Sequence, residues 1–269
     1  MAIKDITIGQ YVPGETPIHN MDPRVKILLS IVFIIVLFIV KNYTGYVYVV
    51  LYIMASVYIS KVHLSYIFKG LKPLLAILFI TMAINMFLTP GHTIWSYGSI
   101  RLTAEGLNLA IFMSIRLILL IVGTSLLTLT TSPIMLTDGI ELILSPFKRI
   151  GVPAHELAMM MTIALRFIPT LLDEADKIMK AQMARGADFE SGNIIKRAKA
   201  MVPLLVPLFI NAFRRADELA MAMEARCYRG GENRTRMRQL RIEKRDYVAI
   251  IVTIVMILLV VMDRFVVSL

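Results

Sequence analysis

The sequence predicts an all-α polytopic membrane protein, with about five transmembrane helices and a helical cytoplasmic domain set between the fourth and the fifth. Three observations carry this. Of the 269 residues 57% are hydrophobic and the mean hydropathy is +0.71, against an apolar share of roughly 45–50% in soluble domains. Five apolar stretches reach or approach the roughly 20 residues that cross a bilayer. The charges are segregated: 19 of the 29 Lys and Arg and 14 of the 19 Asp and Glu fall between Thr130 and Asp246.

The first 24 residues contain Asp5, Gly9, Pro13, Gly14, Glu15, Pro17 and Asp22. That is not the basic start plus apolar core of a cleaved signal peptide, so the first apolar segment is expected to stay as an anchor. The expected spans are Val25–Val40, Tyr43–Ser60, Pro73–Leu88, Leu107–Leu129 and Tyr247–Phe265. Asp22-Pro23 reads as the start of the first, because Asp caps free N–H groups and Pro at the first helical position loses no hydrogen bond. Arg24 and Lys26 at the start of the first span, and Lys61, Lys69 and Lys72 between the second and third, outweigh Lys41, Arg101 and Arg264 in the opposite loops. This asymmetry places the N-terminus and the charged region in the cytoplasm and the C-terminus outside.

Arg116 falls near the middle of the fourth span, where an ionisable side chain is costly and faces a bundle interior or a water-filled cavity. Two roles stay open for it: a hydrogen-bonded arginine that orients helices, or a transport role. Ser114, Gly123, Thr124, Ser125 and Thr128 suit close helix packing in lipid.

The expected division is 1–130 for the N-terminal segment and four spans, 131–246 for the cytoplasmic helical domain, and 247–269 for the last span. Ser132-Pro133 and Ser145-Pro146 resemble helix starts, and Gly151-Val152-Pro153 a break and restart. Leu157–Leu172 carries Arg166 and Pro169, and Met201–Phe213 carries Pro203 and Pro207, so both read as buried or interfacial helix. Across an offset of 41 residues, Ala175–Arg185 and Ala216–Arg226 align without a gap and share Ala, Asp, Ala, Ala and Arg at five of eleven positions. Both are made of good helix formers, with Gly186 and Gly230 following as helix-ending glycines. Arg185 and Arg226 therefore fall at helix C-termini, where an arginine complements the helix dipole without further function. The pairing adds a second reading: two similar small-Arg-small tips suit two similar sockets, and a planar guanidinium gives directed hydrogen bonds to carboxylates or carbonyls. Met159, Met160, Met161, Met179, Met183, Met221 and Met223 supply either adaptable surface or ordinary core.

Other chemistries lack their residues. Cys227 is the single cysteine, which excludes an intramolecular disulfide, and His19, His63, His92 and His155 have no metal-site spacing. Phosphate-loop, zinc-protease and nucleophile-elbow motifs are missing, so an ATPase driving this chain would be a separate protein. The net charge of +10 flanks membrane segments without base-stacking aromatics, which argues against nucleic acid.

His19-Asn20-Met21-Asp22-Pro23-Arg24-Val25-Lys26, Leu165-Arg166-Phe167-Ile168-Pro169 leading to Ala184-Arg185-Gly186, and Ala225-Arg226-Cys227 resemble the transmembrane T component of energy-coupling factor (ECF) transporters, vitamin and metal-ion importers related to ABC transporters. The resemblance covers nearly the whole chain. It implies a non-catalytic coupling subunit of the plasma membrane, whose cytoplasmic helices form a coupling domain. Ala184, Arg185 and Gly186, and Ala225, Arg226 and Cys227, would dock into grooves on two ABC-type ATPase subunits. Those partners would bind ATP and Mg, and the chain itself would need no cofactor. A small membrane-embedded substrate-binding (S) subunit would rest on the apolar surface of the coupling helices. Cys227 stands where the first motif has Gly186, which leaves the second helix free to run on to Gly230. The competing readings are an intramembrane enzyme for a lipid or isoprenoid, using Arg116, Arg166 or Asp173-Glu174, and a stand-alone channel or carrier, which calls for inverted repeats of spans.

Overall fold

A computed structural model describes residues 11–97, 100–189, 193–230 and 239–267. The described residues divide into two compact units, one within 11–139 and 239–267 and the other within 140–230.

In the first unit, α1 (Pro23–Ile39) begins as the Asp-Pro pair predicts: the Asp22 carboxylate accepts the Arg24 N–H at 2.9 Å. Next come α2 (Tyr43–Ser60), α3 (Leu64–Leu71), a 3-10 turn at Lys72–Leu74 and α4 (Leu75–Leu88). The third span thus starts at Leu64, not Pro73. Pro73 lacks an N–H, and the tighter turn accommodates it so that the helical run continues through it. Lys69 and Lys72 consequently lie inside the run and not in a loop before it. The departure from helix among the described residues is a hairpin of β1 (Thr93–Tyr97) and β2 (Ile100–Thr103), paired antiparallel. Ile94, Trp95, Tyr97 and Ile100 favour strand in this short stretch between helices. α5 (Ala104–Thr130) follows, its N-terminus capped by Thr103, whose hydroxyl accepts the Gly106 N–H at 3.1 Å.

α6 (Pro133–Leu144) carries the chain from one unit into the other, and α9 (Lys244–Val267) belongs to the first. The core of that unit is Phe33, Val36, Leu37, Tyr46, Val49, Ile53, Leu119, Met256 and Val260, drawn from α1, α2, α5 and α9. Outward-facing side chains are equally apolar, among them Phe38, Tyr58, Phe79 and Leu88. Such a surface suits lipid and not water.

Arg116 is fully engaged inside this unit. Its Nε donates to the Tyr46 hydroxyl at 3.1 Å and its Nη2 to the Val40 carbonyl at 3.0 Å. The guanidinium lies 5.5 and 5.2 Å from the ring centres of Phe38 and Phe112. The helix-orienting role accounts for every one of these contacts.

The second unit contains the 3-10 segment Ser145–Ile150, α7 (Ala154–Ala184) and α8 (Ile194–Ala225). Gly151, with φ +93°, breaks the chain before Pro153 and the restart at Ala154. The interior prolines Pro169, Pro203 and Pro207 do not end either helix. Neither helix is buried in this chain, contrary to one of the two environments expected of them. α7 buries Ala154, Ala158 and Ala175, while Met160, Met161, Val202, Phe209, Ile210 and Phe213 stand exposed.

By length and composition five helical runs could cross a membrane: Tyr43–Ser60, Leu64–Leu88, Ala104–Thr130, Ala154–Ala184 and Lys244–Phe265. Four match expected spans. α7 joins the set despite its charges, and α1, with 17 residues, stands at the short end of the spanning range.

Candidate functional site

The two Arg-bearing segments end their helices in the same way. In α7, Ala184 is the last helical residue and Arg185 the C-cap; Gly186 turns to φ +89°. The Gly186 N–H returns to the Met183 carbonyl at 2.9 Å and the Ala187 N–H to Gln182 at 3.0 Å. In α8, Ala225 is the last helical residue, Arg226 the C-cap, and Cys227 turns to φ +58°. The Cys227 N–H returns to Glu224 at 2.8 Å and the Tyr228 N–H to Met223 at 3.0 Å. Both sets are the paired bonds of a Schellman end, and every donor and acceptor corresponds across the offset of 41. The run to Gly230 does not occur. The bonds from Cys227 and Tyr228 close the helix although the left-handed position holds a cysteine instead of glycine, at a cost of roughly 1–2 kcal/mol for an L-residue. Ala184, Arg185, Gly186, Ala225, Arg226 and Cys227 are all exposed.

The same offset relates the residues that tie α7 to α8. Arg215 Nη2 donates to Glu174 Oε1, and the guanidinium lies 5.8 Å from the centre of the Phe167 ring. Glu174 plus 41 is 215, so the ion pair joins equivalent positions of the two repeats. From it to Arg185 is 185 − 174 = 11 residues, and from it to Arg226 is 226 − 215 = 11. Each arm is then about 16 Å of helix. One face of the second tip opens onto a groove of about 670 Å³ lined by Met159, Thr162, Arg166, Leu219, Arg226 and Cys227. Lys180 pairs with Asp176 at 3.5 Å, one turn away on the exposed face of α7.

Glu174 is held by Arg215, Arg166 lines the groove beside Arg226, and Arg116 is occupied in the other unit. Among the described residues no group of three His, Cys, Asp or Glu is arranged to hold a metal.

A second constellation, at the start of α1, has its polar residues linked in a way that sequence reading does not reveal. Lys26 is buried, and its ammonium donates to the carbonyls of His19 at 3.0 Å and Thr130 at 2.9 Å and to the Thr131 hydroxyl at 3.0 Å. The buried Asp246 carboxylate accepts the N–H groups of Asp22 at 2.9 Å and Glu243 at 2.7 Å. Asp22 in turn pairs with Arg24 at 2.7 Å. Burial alone would push the Asp22 carboxyl up, but the hydrogen bonds and charge of Arg24 outweigh it and hold it below the usual carboxylate range. The His19 imidazole sits 3.1 Å from the Val12 carbonyl through Nε2 and 2.7 Å from the Thr16 hydroxyl through Nδ1. A carbonyl only accepts, so Nε2 carries the proton. Burial depresses the His19 pKa below 6.5; the Val12 bond opposes this, and the Lys26 charge reinforces it. These residues fasten α1, the end of α5 and the start of α9 together. The signal available in sequence was the polar run from His19 to Lys26 immediately before an apolar helix.

Known proteins resemble this chain along nearly its whole length. The family model CbiQ, described as Cobalt transport protein, matches residues 14–237. The energy-coupling factor transporter transmembrane protein EcfT of Thermosediminibacter oceani is 60% identical over 264 residues, 98% of this chain and 100% of that one. The EcfT of Clostridium kluyveri is 59% identical over 264 residues, 97% and 98% of the two chains. That of Lactococcus lactis subsp. cremoris is 44% identical over 261 residues, covering 97% and 98%. With a family match over most of its length and relatives aligned end to end, the chain belongs to the family of energy-coupling factor transporter transmembrane proteins.

Proposed function

We propose that the chain is the coupling subunit of an ECF-type importer. It transmits ATP-driven motion of two ABC-type ATPase subunits to a small membrane-embedded S subunit, for uptake of vitamins or other micronutrients. The observation that carries this reading is the duplication of one helix end: two exposed arginines on identical Schellman caps, at equal distances from a shared ion pair. Each tip, Ala184-Arg185-Gly186 and Ala225-Arg226-Cys227, docks into one ATPase, and two equivalent tips suit a pair of like subunits. ATP and Mg belong to the ATPases; this chain catalyses no reaction. The exposed apolar residues of α7 and α8, such as Met160, Val206, Phe209 and Phe213, supply the surface on which the S subunit rests. When ATP draws the two ATPases together, the tips follow, and the contact offered to the S subunit differs between the two states, which is the requirement for coupling.

In this reading 131–246 is the coupling domain and lies with the N-terminus in the cytoplasm, between the spans of 1–130 and the last span of 247–269, whose end is outside. The test is affinity isolation of the tagged chain from its own membranes in mild detergent. Two ATP-binding-cassette proteins and a small membrane protein are the expected companions. A chain recovered alone, with turnover of a lipid substrate, would instead support an intramembrane enzyme.

A further inference from the structure

Between α1, α2, α5 and α9 runs a groove of about 380 Å³ that the transport reading leaves without a role. Its rim is formed where α1 and α9 begin and α2 and α5 end, at Lys26, Ile59, Thr130 and Arg245, and its far end is at Phe33, Tyr52, Gly123 and Val252. From Lys26 to Phe33 is seven residues, or about 10 Å along the helix. This is a large part of the roughly 15 Å of hydrocarbon in one leaflet. Ile59 and Val248, both exposed, leave it open sideways toward lipid.

The interior asks for an apolar occupant. Ser56 and Thr130 return their hydroxyls to the carbonyls of Tyr52 at 2.8 Å and Leu126 at 2.7 Å, and Tyr52 bonds Thr253 at 3.1 Å. Water would find few partners there. The rim asks for an anion. Lys26 has all three donors satisfied within the chain. Arg245 does not: one third of its side chain is exposed, and the pairing of its Nη2 with Glu243 at 2.7 Å leaves further N–H groups of the guanidinium available. A charged guanidinium with donors to spare favours a phosphate oxygen.

We propose that this groove is a binding site for one anionic phospholipid, with an acyl chain lying along Leu29, Phe33 and Val252 and the phosphodiester accepting hydrogen bonds from the exposed part of the Arg245 guanidinium. Lysines and arginines at the cytoplasmic ends of transmembrane helices recognise such headgroups. The lipid completes the packing of four helices at the end where Lys26 and Asp246 fasten them, and the site stands independently of any coupling role.

Native mass spectrometry of the detergent-extracted transporter, offered equal amounts of phosphatidylglycerol and phosphatidylcholine with the same acyl chains, tests it by counting lipid kept on this chain after its partners are released. Phosphatidylglycerol should be retained in preference, and Arg245→Gln should reduce that preference about tenfold, the loss expected for one charge-assisted hydrogen bond. Ala249→Phe, which fills the groove without touching the charge, should reduce retention of both lipids. Equal retention of the two lipids by the unsubstituted chain, or phosphatidylglycerol retention unchanged by both substitutions, overturns the proposal.

Discussion

At the scale of single residues, the two helix ends differ in one atom group that matters: Gly186 is free to take φ +89°, whereas Cys227 takes φ +58° with a Cβ. Cys227→Gly should therefore stabilise the chain by about 1 kcal/mol, and Gly186→Val should destabilise it by at least that much. Thermal unfolding of the purified transporter reads both. His19 makes a second prediction. Its folded pKa is below 6.5, so the unfolded chain binds the proton more readily. Stability is then full above 6.5 and falls as pH drops through the folded value. Unfolding temperature should decline on acidification below 6.5, and His19→Gln should flatten that decline. Asp22, also depressed, acts in the same direction but only below its ordinary 3.8. Sequence made the Asp22-Pro23 cap readable, because capping is local chemistry. It did not make Lys26, Thr130 and Asp246 readable as one cluster, since their partners are some 100 to 220 positions away and only folding brings them together.

At the scale of elements, the repeat was legible as five identities in eleven positions, yet the pair that joins the two helices stands one position before the aligned segments. Glu174 and Arg215 differ in charge and so do not extend the alignment, although they join α7 to α8 at equivalent points. Glu174→Arg or Arg215→Glu alone leaves two like charges facing across the helices and should uncouple transport while ATP hydrolysis persists. The double exchange should restore transport at least in part, and failure of that restoration while the protein remains folded would remove the ion pair from the account. Span boundaries were readable to within a few residues for α1, α2, α5 and α9, where apolar composition dominates. They were not readable at α3, because a Pro at position 73 ordinarily signals a start and here sits inside a 3-10 turn. The hairpin of β1 and β2 escaped for a similar reason: eight paired residues between two long apolar helices give too short a pattern.

At the scale of the whole molecule, a large apolar surface is left over after the chain has folded. In α1, α2, α4 and α9 lipid accounts for it; in α7 and α8, amphipathic helices of 31 and 32 residues, the same exposure is joined to charged ends and a polar face. Helices that are apolar, exposed and tipped by paired arginines are incomplete without partners, which is why the sequence, read alone, points beyond itself to other subunits. The central claim is that Arg185 and Arg226 hold the ATPases. Its most direct measurement is the amount of ATP-binding-cassette protein recovered with the tagged chain when Arg185→Ala and Arg226→Ala are made singly and together. The account predicts partial loss in each single variant and loss of at least about 90% in the double variant, with the chain still folded and membrane-inserted. Undiminished recovery from the double variant would contradict it.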